Sequence, residues 1–159
     1  MAVYIGIDPG ITGAVGVVLD DSEFVYDIPT VNVGKKKTAR EIDAVGLYDL
    51  VRMWRRLYNV VACVERTHAM PGQGVTSMFS MGVSRGIVLG VLAGAEVKVV
   101  SVEPQAWKKH FGLLKADKEA SRALAIKLFP RAASELRLKK HHNRAEALLL
   151  ARYLQETGR

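Results

Sequence analysis

Two apolar runs, at residues 3–8 and 14–19, flank a short turn that is rich in glycine, and this pattern constrains the fold most strongly. Apolar runs of this length that end at Gly or Pro are typical of buried strands. The turn reads Asp8-Pro9-Gly10-Ile11-Thr12-Gly13, and its glycines permit positive φ or a close approach of the backbone. With a third apolar segment at 23–28, the pattern predicts an antiparallel meander at the start of the chain.

The rest of the chain alternates between helical and strand-like segments. Apolar residues recur at helical spacing from about 43 to 58. The segment 60–65 is apolar almost throughout, as buried parallel strands are. The segment 29–40, with lysines at 35–37, predicts a solvated basic connection. Later elements are predicted as helices at 77–95, 104–111, 117–129 and 143–156 and a strand at 97–102, which gives one mixed α/β domain.

Composition narrows the class of protein. The chain has 159 residues and is 49% apolar, which indicates a folded domain with a full hydrophobic core. The formal net charge of +7 favours a polyanionic partner such as a nucleic acid. One cysteine, Cys63, excludes an internal disulfide and suits a reducing cytosol. We expect no signal peptide, and no apolar run approaches the ~20 residues that cross a bilayer.

Two acids end apolar strands. Asp8 ends the first run, and Glu65 ends the strand at 60–65. Because sites in α/β sheets form at the carboxyl ends of strands, these carboxylates converge if the two strands are parallel neighbours. Converging anions repel unless they share a proton or bind a cation, and oxygen ligands suit Mg²⁺ or Mn²⁺. The alternative is that each acid caps a helix or pairs with a nearby arginine such as Arg66.

The last helix carries a third group of polar residues. His142 and Asn143 lie four and three residues before Glu146, so all three share one helix face. His, Asn and Glu side chains can bind a divalent ion or position a water molecule. The alternative is a helix cap, with Asn143 at the N-cap and Glu146 as its capping-box partner.

Five motifs follow one another from the first strand to the last helix: IGIDPGITG at 5–13, VERTHAMPGQG at 64–74, PQAWKK at 104–109, ADK at 116–118 and RAEALLLA at 144–151. On these residues the chain resembles the RuvC-like Holliday-junction resolvases, particularly the phage-type members, of the RNase H-like nuclease superfamily. The resemblance implies an α/β fold, an RNase H-like mixed five-stranded sheet with helices on both faces, in a single nuclease domain over 1–159.

The resemblance implies a nuclease that uses two ions, Mg²⁺ or Mn²⁺, to make paired nicks in four-way DNA junctions. Asp8 and Glu65 match the family's acids on the first and fourth strands, and Glu146 matches the helix position where aspartate is usual. We expect Asp8 to bridge the two ions and Glu65 and Glu146 each to hold one. The remaining helix ligand is His142 or Asn143. We favour His142, because imidazole is the better metal ligand or proton shuttle. Asn143 stays open, because its three-residue spacing matches the usual motif.

The resemblance also implies DNA contacts. Lys118 matches a lysine beside the scissile phosphate and is a catalytic candidate. His68 matches an aromatic residue that disturbs base stacking at the junction centre, where an apolar wedge offsets the cost of opening a base step. Met70 and Phe79 lie nearby, and the alternative for both is a place in the core. The further DNA-binding candidates are Gln73, Lys108, Lys109, Lys115 and Arg144.

Small residues along the helix at 77–95 either pack on the domain's own sheet or, as the resemblance implies, form a twofold homodimer. The predicted interface residues are Met78, Gly82, Gly86 and Gly90.

The predicted protein is cytoplasmic, in a bacterium or a phage-infected host, with no membrane partner and no nucleotide cofactor. Alternatives are a monomeric RuvC-like RNA-processing nuclease and a junction-binding protein with little catalysis. An actin-like ATPase needs a duplicated domain, which 159 residues cannot supply.

Overall fold

The computed structural model describes residues 1–36 and 39–158, and its centre is a mixed sheet of five strands in the order β3-β2-β1-β6-β7. The first three strands form an antiparallel meander, and β1, β6 and β7 are parallel. This arrangement confirms the predicted mixed sheet. In chain order the strands are β1 (Ala2–Asp8), β2 (Ala14–Leu19), β3 (Ser22–Asp27), β4 (Thr30–Asn32), β5 (Arg40–Ile42), β6 (Asn59–Glu65) and β7 (Lys98–Val102).

Helices cover both faces of the sheet, as predicted. One face of β1, with Val3, Ile5 and Ile7, packs in a core cluster with the first two helices. The other face packs against the last three, where Trp107 and Phe129 are fully buried. The helices are α1 (Ala44–Arg55), α2 (Val75–Gly94), α3 (Pro104–His110), α4 (Lys118–Leu128) and α5 (His142–Thr157), with 3-10 helices at Pro130–Leu136 and Lys139–His141.

The segment predicted as a solvated basic connection is folded in part. Strands β4 and β5 form a second, two-stranded sheet, in which Thr30 pairs with Ile42 and Asn32 with Arg40. The turn between them is held by the Asn32 side chain, which accepts a bond from the Gly34 amide at 3.0 Å. Lys37, part of the predicted lysine run, lies outside the described residues. The prediction missed this hairpin because its strands are only three residues long.

Helix α2 differs from the expectation that no segment of the chain is long and apolar enough to cross a bilayer. It is long and apolar enough to cross a membrane by length and composition alone, with a mean hydropathy of 1.5 over its best window. The expectation that no segment approaches this length is therefore wrong. On the sheet side of α2, Ser84, Val88 and Leu92 are buried in the domain.

Helix α5 approaches the sheet unusually closely over two paired glycines, Gly6 of β1 and Gly16 of β2. A Cβ atom at Gly6 would lie 2.1 Å from the carbonyl oxygen of Ala147 and 2.5 Å from the amide nitrogen of Ala151. A Cβ atom at Gly16 would lie 2.5 Å from the amide nitrogen of Leu148. Because these contacts are with backbone, glycine is the residue that allows the helix to sit where it does.

We predict that Gly6→Ala and Gly16→Ala each lower the free energy of unfolding by about 3 kcal/mol, because α5 must shift away from the sheet. Gly10→Ala is the matched control, since a Cβ atom there would have no neighbour nearer than 3.9 Å. It should stay within about 1 kcal/mol of wild type. Urea denaturation followed by circular dichroism measures all three, and wild-type stability in the Gly6 and Gly16 variants would contradict this packing.

Candidate active site

Three carboxylates come together at one end of the sheet. Asp8 ends β1 and Glu65 ends β6, and the parallel register pairs Gly6 with Cys63 and Ile7 with Val64. The next residues of both strands are therefore neighbours, and they lie on the face that α5 covers. Glu146, in the second turn of α5, is the third member, and its charge acts on both other acids.

The electrostatics of this cluster are dominated by burial and by mutual repulsion. Burial, followed by the charges of Glu65 and Glu146, raises the pKa of Asp8 to about 7, and Lys118 and Lys108 oppose this shift. Burial also raises the pKa of Glu65, against a hydrogen bond from Trp107. Near neutral pH the site therefore holds more negative charge than its surroundings stabilise, and a nearby cation would relieve it.

Trp107 holds Glu65 in place. The Nε1–H group of this fully buried tryptophan donates to Oε2 of Glu65 at 2.6 Å. The Lys108 ammonium lies over the same indole ring, 5.3 Å from its centre. Sequence reasoning missed this contact, although a large aromatic residue in the short helix after β7 was the available signal. The alternative that Asp8 or Glu65 pairs with Arg66 is wrong, because Arg66 pairs with Glu103, at 3.2 Å.

The imidazole of His142 is oriented by the backbone. Its Nδ1 lies 3.3 Å from the carbonyl oxygen of Lys139, and its Nε2 lies 3.4 Å from Nζ of Lys118. With the proton on Nδ1 donated to that carbonyl, Nε2 presents a lone pair. A backbone carbonyl behind the ring is the usual support of a metal-binding histidine.

Asn143 has a different partner. Its Nδ2 donates to the carbonyl oxygen of Thr12 at 2.7 Å, which ties the start of α5 to the turn after β1. The helix-cap alternative is wrong, because α5 begins one residue earlier than predicted, at His142, and its N-cap His141 makes no side-chain capping bond. The amide of Asn143 therefore has a positioning contact, which favours His142 as the ligand.

In this structure the acids are not arranged as a complete metal-binding site. Within the described residues, no group of three or more His, Cys, Asp or Glu side chains is arranged so that it could hold a metal ion. Two predicted ligands already have other partners, Glu65 with Trp107 and His142 with Lys118. The donor set of carboxylates and imidazole suits a divalent cation, which would exchange with Lys118 at His142 and leave the Trp107 bond to Oε2 of Glu65 in place.

The loop after β6 and the start of α2 carry four residues that the sequence predicted near the DNA, and only some of them are exposed and, among the described residues, unpaired with other side chains. Nε2 of His68 lies 2.7 Å from Glu103, and this bond is the largest factor that lowers the pKa of Glu103. Gln73 accepts a bond from the Met70 amide at 3.3 Å, inside the loop. Met70 and Phe79 are 62% and 74% exposed, so the alternative that placed them in the core is wrong.

The predicted basic residues divide into two groups. Lys109, Lys115 and Lys118 are exposed. Arg144, in contrast, makes two bonds of 2.7 Å to Asp27 and contacts Glu135 at 3.2 Å, which ties β3 to α5. The DNA contact predicted for Arg144 conflicts with these ion pairs, and we leave Arg144 out of the proposed interface.

Two concave surfaces flank His142. The first, the α4 groove, has a volume of about 580 Å³ and is lined by Asp117, Lys118, Glu119, Lys139 and His142. The second, the hairpin groove, has a volume of about 610 Å³ and includes Thr12, Arg40, Lys140, His141 and Asn143 in its lining. Lys139 and Lys140 are consecutive, so this short 3-10 helix separates the grooves.

Comparison with known proteins identifies the architecture. Two solved structures are similar to this chain, and each similarity covers 98% of this chain and 96% of the other chain. The first is a Thermus thermophilus RuvC structure, with 20% identity and a TM-score of 0.55. The second is T. thermophilus RuvC in complex with Holliday junction substrate, with 22% identity and a TM-score of 0.66. The chain has the RuvC fold. This confirms the predicted fold class.

A curated relative also matches part of the chain. The Holliday junction resolvase MOC1, chloroplastic, of Chlamydomonas reinhardtii is 43% identical over 89 residues. This match covers 55% of the present chain, and the chain spans only about 10% of the length of that relative. No protein-family model matches the chain.

The raised pKa of Asp8 predicts how the RuvC-fold domain responds to pH without metal. Between about pH 4 and 7 the unfolded chain loses the Asp8 proton while the folded chain keeps it, so stability falls as pH rises. Asp8→Asn removes this effect. Without metal, the variant should exceed wild type in unfolding free energy by roughly 2–4 kcal/mol at pH 8.

The difference between the two proteins should shrink to less than about 1 kcal/mol at pH 4, because the folded chain keeps the Asp8 proton there and the unfolded chain, with a pKa of 3.8, has lost only about half of it. Urea denaturation in the presence of a chelator, at pH 4, 6 and 8, measures it. A gap that is the same at pH 4 and pH 8 would contradict the raised pKa.

Proposed function

We propose that this protein is a divalent-metal-dependent endonuclease that cuts four-way DNA junctions with paired nicks. The observation that carries the proposal is the convergence of Asp8, Glu65 and Glu146 on one end of a RuvC-fold sheet. Two likenesses support the choice of substrate: the solved RuvC that resembles this chain is in complex with Holliday junction substrate, and the partial relative is named as a Holliday junction resolvase.

The chain's own residues would divide the work as follows. Asp8, Glu65 and Glu146 would hold two ions, Mg²⁺ or Mn²⁺, with His142 as the nitrogen ligand. Such ions lower the pKa of an attacking water molecule and stabilise the leaving oxygen. Lys118 would turn from His142 to the scissile phosphate and neutralise part of its charge. Burial of Asp8 would exclude competing water.

The two grooves beside His142 suit the continuous phosphate backbone of the cut strand. In the α4 groove, Lys118 and Lys139 supply positive charge, and Lys109 and Lys115 would extend this surface together with Lys108. In the hairpin groove, Arg40 and Lys140 do so. Contacts of this kind position the strand on both sides of the scissile phosphate without reading its sequence.

The exposed loop after β6 and the start of α2 would face the junction centre. His68, Met70 and Gln73 were the predicted contacts, and Phe79 is the most exposed aromatic side chain near them. A planar ring or an apolar side chain can enter an opened base step, and Phe79 serves this role better than His68, whose imidazole is paired with Glu103.

The exposed side of α2 would form the homodimer. A Cβ atom at Gly82, Gly86 or Gly90 would meet no neighbour within 4 Å, so this side, which also carries the half-buried Met78, is open to close contact. A twofold pair presents two sites to a substrate that has twofold symmetry itself. The opposite side of α2 packs on the domain, with Ser84, Val88 and Leu92 buried.

The cytoplasmic compartment is part of the proposal and rests on the single free cysteine, which is buried. The partial relative is named as chloroplastic.

Cleavage assays test the proposed activity. With Mg²⁺ or Mn²⁺, the wild-type protein should nick a synthetic four-way junction at paired positions at least about 100-fold faster than a linear duplex of the same sequence. Asp8→Asn and Glu65→Gln should lose cleavage and keep junction binding at matched salt, because the phosphate contacts remain. Asp49→Asn, an exposed acid on α1, is the control for the charge change and should cut normally. Equal cutting of duplex and junction would contradict the proposal.

A charge on the open side of α2 tests the dimer. Gly82→Arg should fold, because the position is free of contacts, and should convert a dimer to a monomer at micromolar concentration. Met53→Arg adds the same charge to a partly exposed site on α1 and should leave the dimer intact. Sedimentation velocity distinguishes the species, and a monomeric wild-type protein would rule out the interface.

A further inference from the structure

Trp107 combines two properties that packing alone does not require. Its side chain is fully buried among apolar residues of the α5 face of the sheet, where phenylalanine or leucine could also pack. Its one polar group, the indole N–H, points at an acid of the candidate active site and lies 2.6 Å from Oε2 of Glu65. A buried indole N–H usually has such a partner, but here the partner is a proposed metal ligand.

The neighbouring elements fix this geometry. Glu65 pairs in register with Val102 of β7, and α3 begins two residues later at Pro104. The first turn of α3 therefore lies beside the end of β6 and carries Trp107 to the acid. The Lys108 ammonium over the Trp107 ring adds positive charge that acts on Glu65.

We propose that Trp107 is a positioning residue whose N–H holds Oε2 of Glu65, so that Oε1 is the oxygen presented to the divalent cation. The inference rests on the proposed function. A carboxylate without this bond could rotate about its last torsion angle, and each ion would then have to order it. Hydrogen bonds to the ligands of a metal typically change its affinity 10- to 100-fold when they are removed.

Metal binding without DNA tests the role of Trp107. Trp107→Phe keeps an aromatic ring and removes the N–H group, and Mn²⁺ affinity measured by calorimetry should fall 10- to 100-fold. Trp54→Phe is the matched control, because Trp54 is the only other tryptophan and lies in the core on the other face of the sheet. It should bind Mn²⁺ within twofold of wild type. It also leaves Trp107 as the sole tryptophan, whose emission should change as Mn²⁺ binds.

A double-mutant cycle separates positioning from packing. In a Glu65→Gln background, Trp107→Phe should cause less than a threefold further loss of Mn²⁺ affinity, since the carboxylate it positions has gone. A general loss of packing would lower affinity equally in both backgrounds. If Trp107→Phe does not fold, benzothienylalanine at position 107 removes the N–H group while keeping the shape of the side chain.

Three results would overturn the proposal: affinity of the Trp107 variant within twofold of the Trp54 control, an equal loss in the Glu65→Gln background, or no Mn²⁺ binding by the wild-type chain. Failure of the proposed function is a different result, because a protein that binds Mn²⁺ through Glu65 and Trp107 but cuts no junction would keep this inference and lose the substrate.

Discussion

The close contact of α5 with the paired glycines of β1 and β2 is the constraint on which the rest of the structure depends. With side chains at Gly6 and Gly16, the helix would have to move outwards by the width of a methyl group or more. Glu146 precedes Ala147, the residue that rests on both glycines, so the same contact sets its distance from Asp8. The position of the third acid is therefore fixed by backbone packing rather than by side-chain bonds.

This arrangement buries the carboxylates of Asp8 and Glu65 where the fold stabilises their negative charge poorly. Asp8 and Glu65 have raised pKa values because the helix that brings Glu146 to them also buries them. The surrounding bonds limit the consequences: Trp107 holds Glu65, Asn143 ties α5 to the turn after β1, and Arg144 ties α5 to β3. These bonds connect the elements around a cluster that a cation would stabilise, and sites built on strands and helices are more precise than sites on loops.

Much of this could be predicted from the sequence. Apolar runs of strand length predicted the meander and β6, and acids at the ends of these runs predicted the active site. Both signals come from residues close together in the sequence. The helix cap proposed for Asn143 failed, since the residue bonds to Thr12 across the fold. The Trp107–Glu65 bond, the Arg144–Asp27 pair and the exposure of Phe79 depend on contacts between residues far apart in the chain, and hydrophobic periodicity does not report these. Glycines inside two strands were the one available signal for the close approach of α5.

The central claim is that Asp8, Glu65 and Glu146 form one anionic cluster that takes up a divalent cation. Proton release during Mn²⁺ binding measures this most directly, by calorimetry in buffers of different ionisation enthalpy. Because the pKa of Asp8 is about 7, binding at pH 6 should release close to one proton or more, and the release should fall towards zero at pH 8.5. Asp8→Asn should lose most of this release and bind Mn²⁺ more weakly. Equal affinity at both pH values, with no proton release at pH 6, would contradict the account.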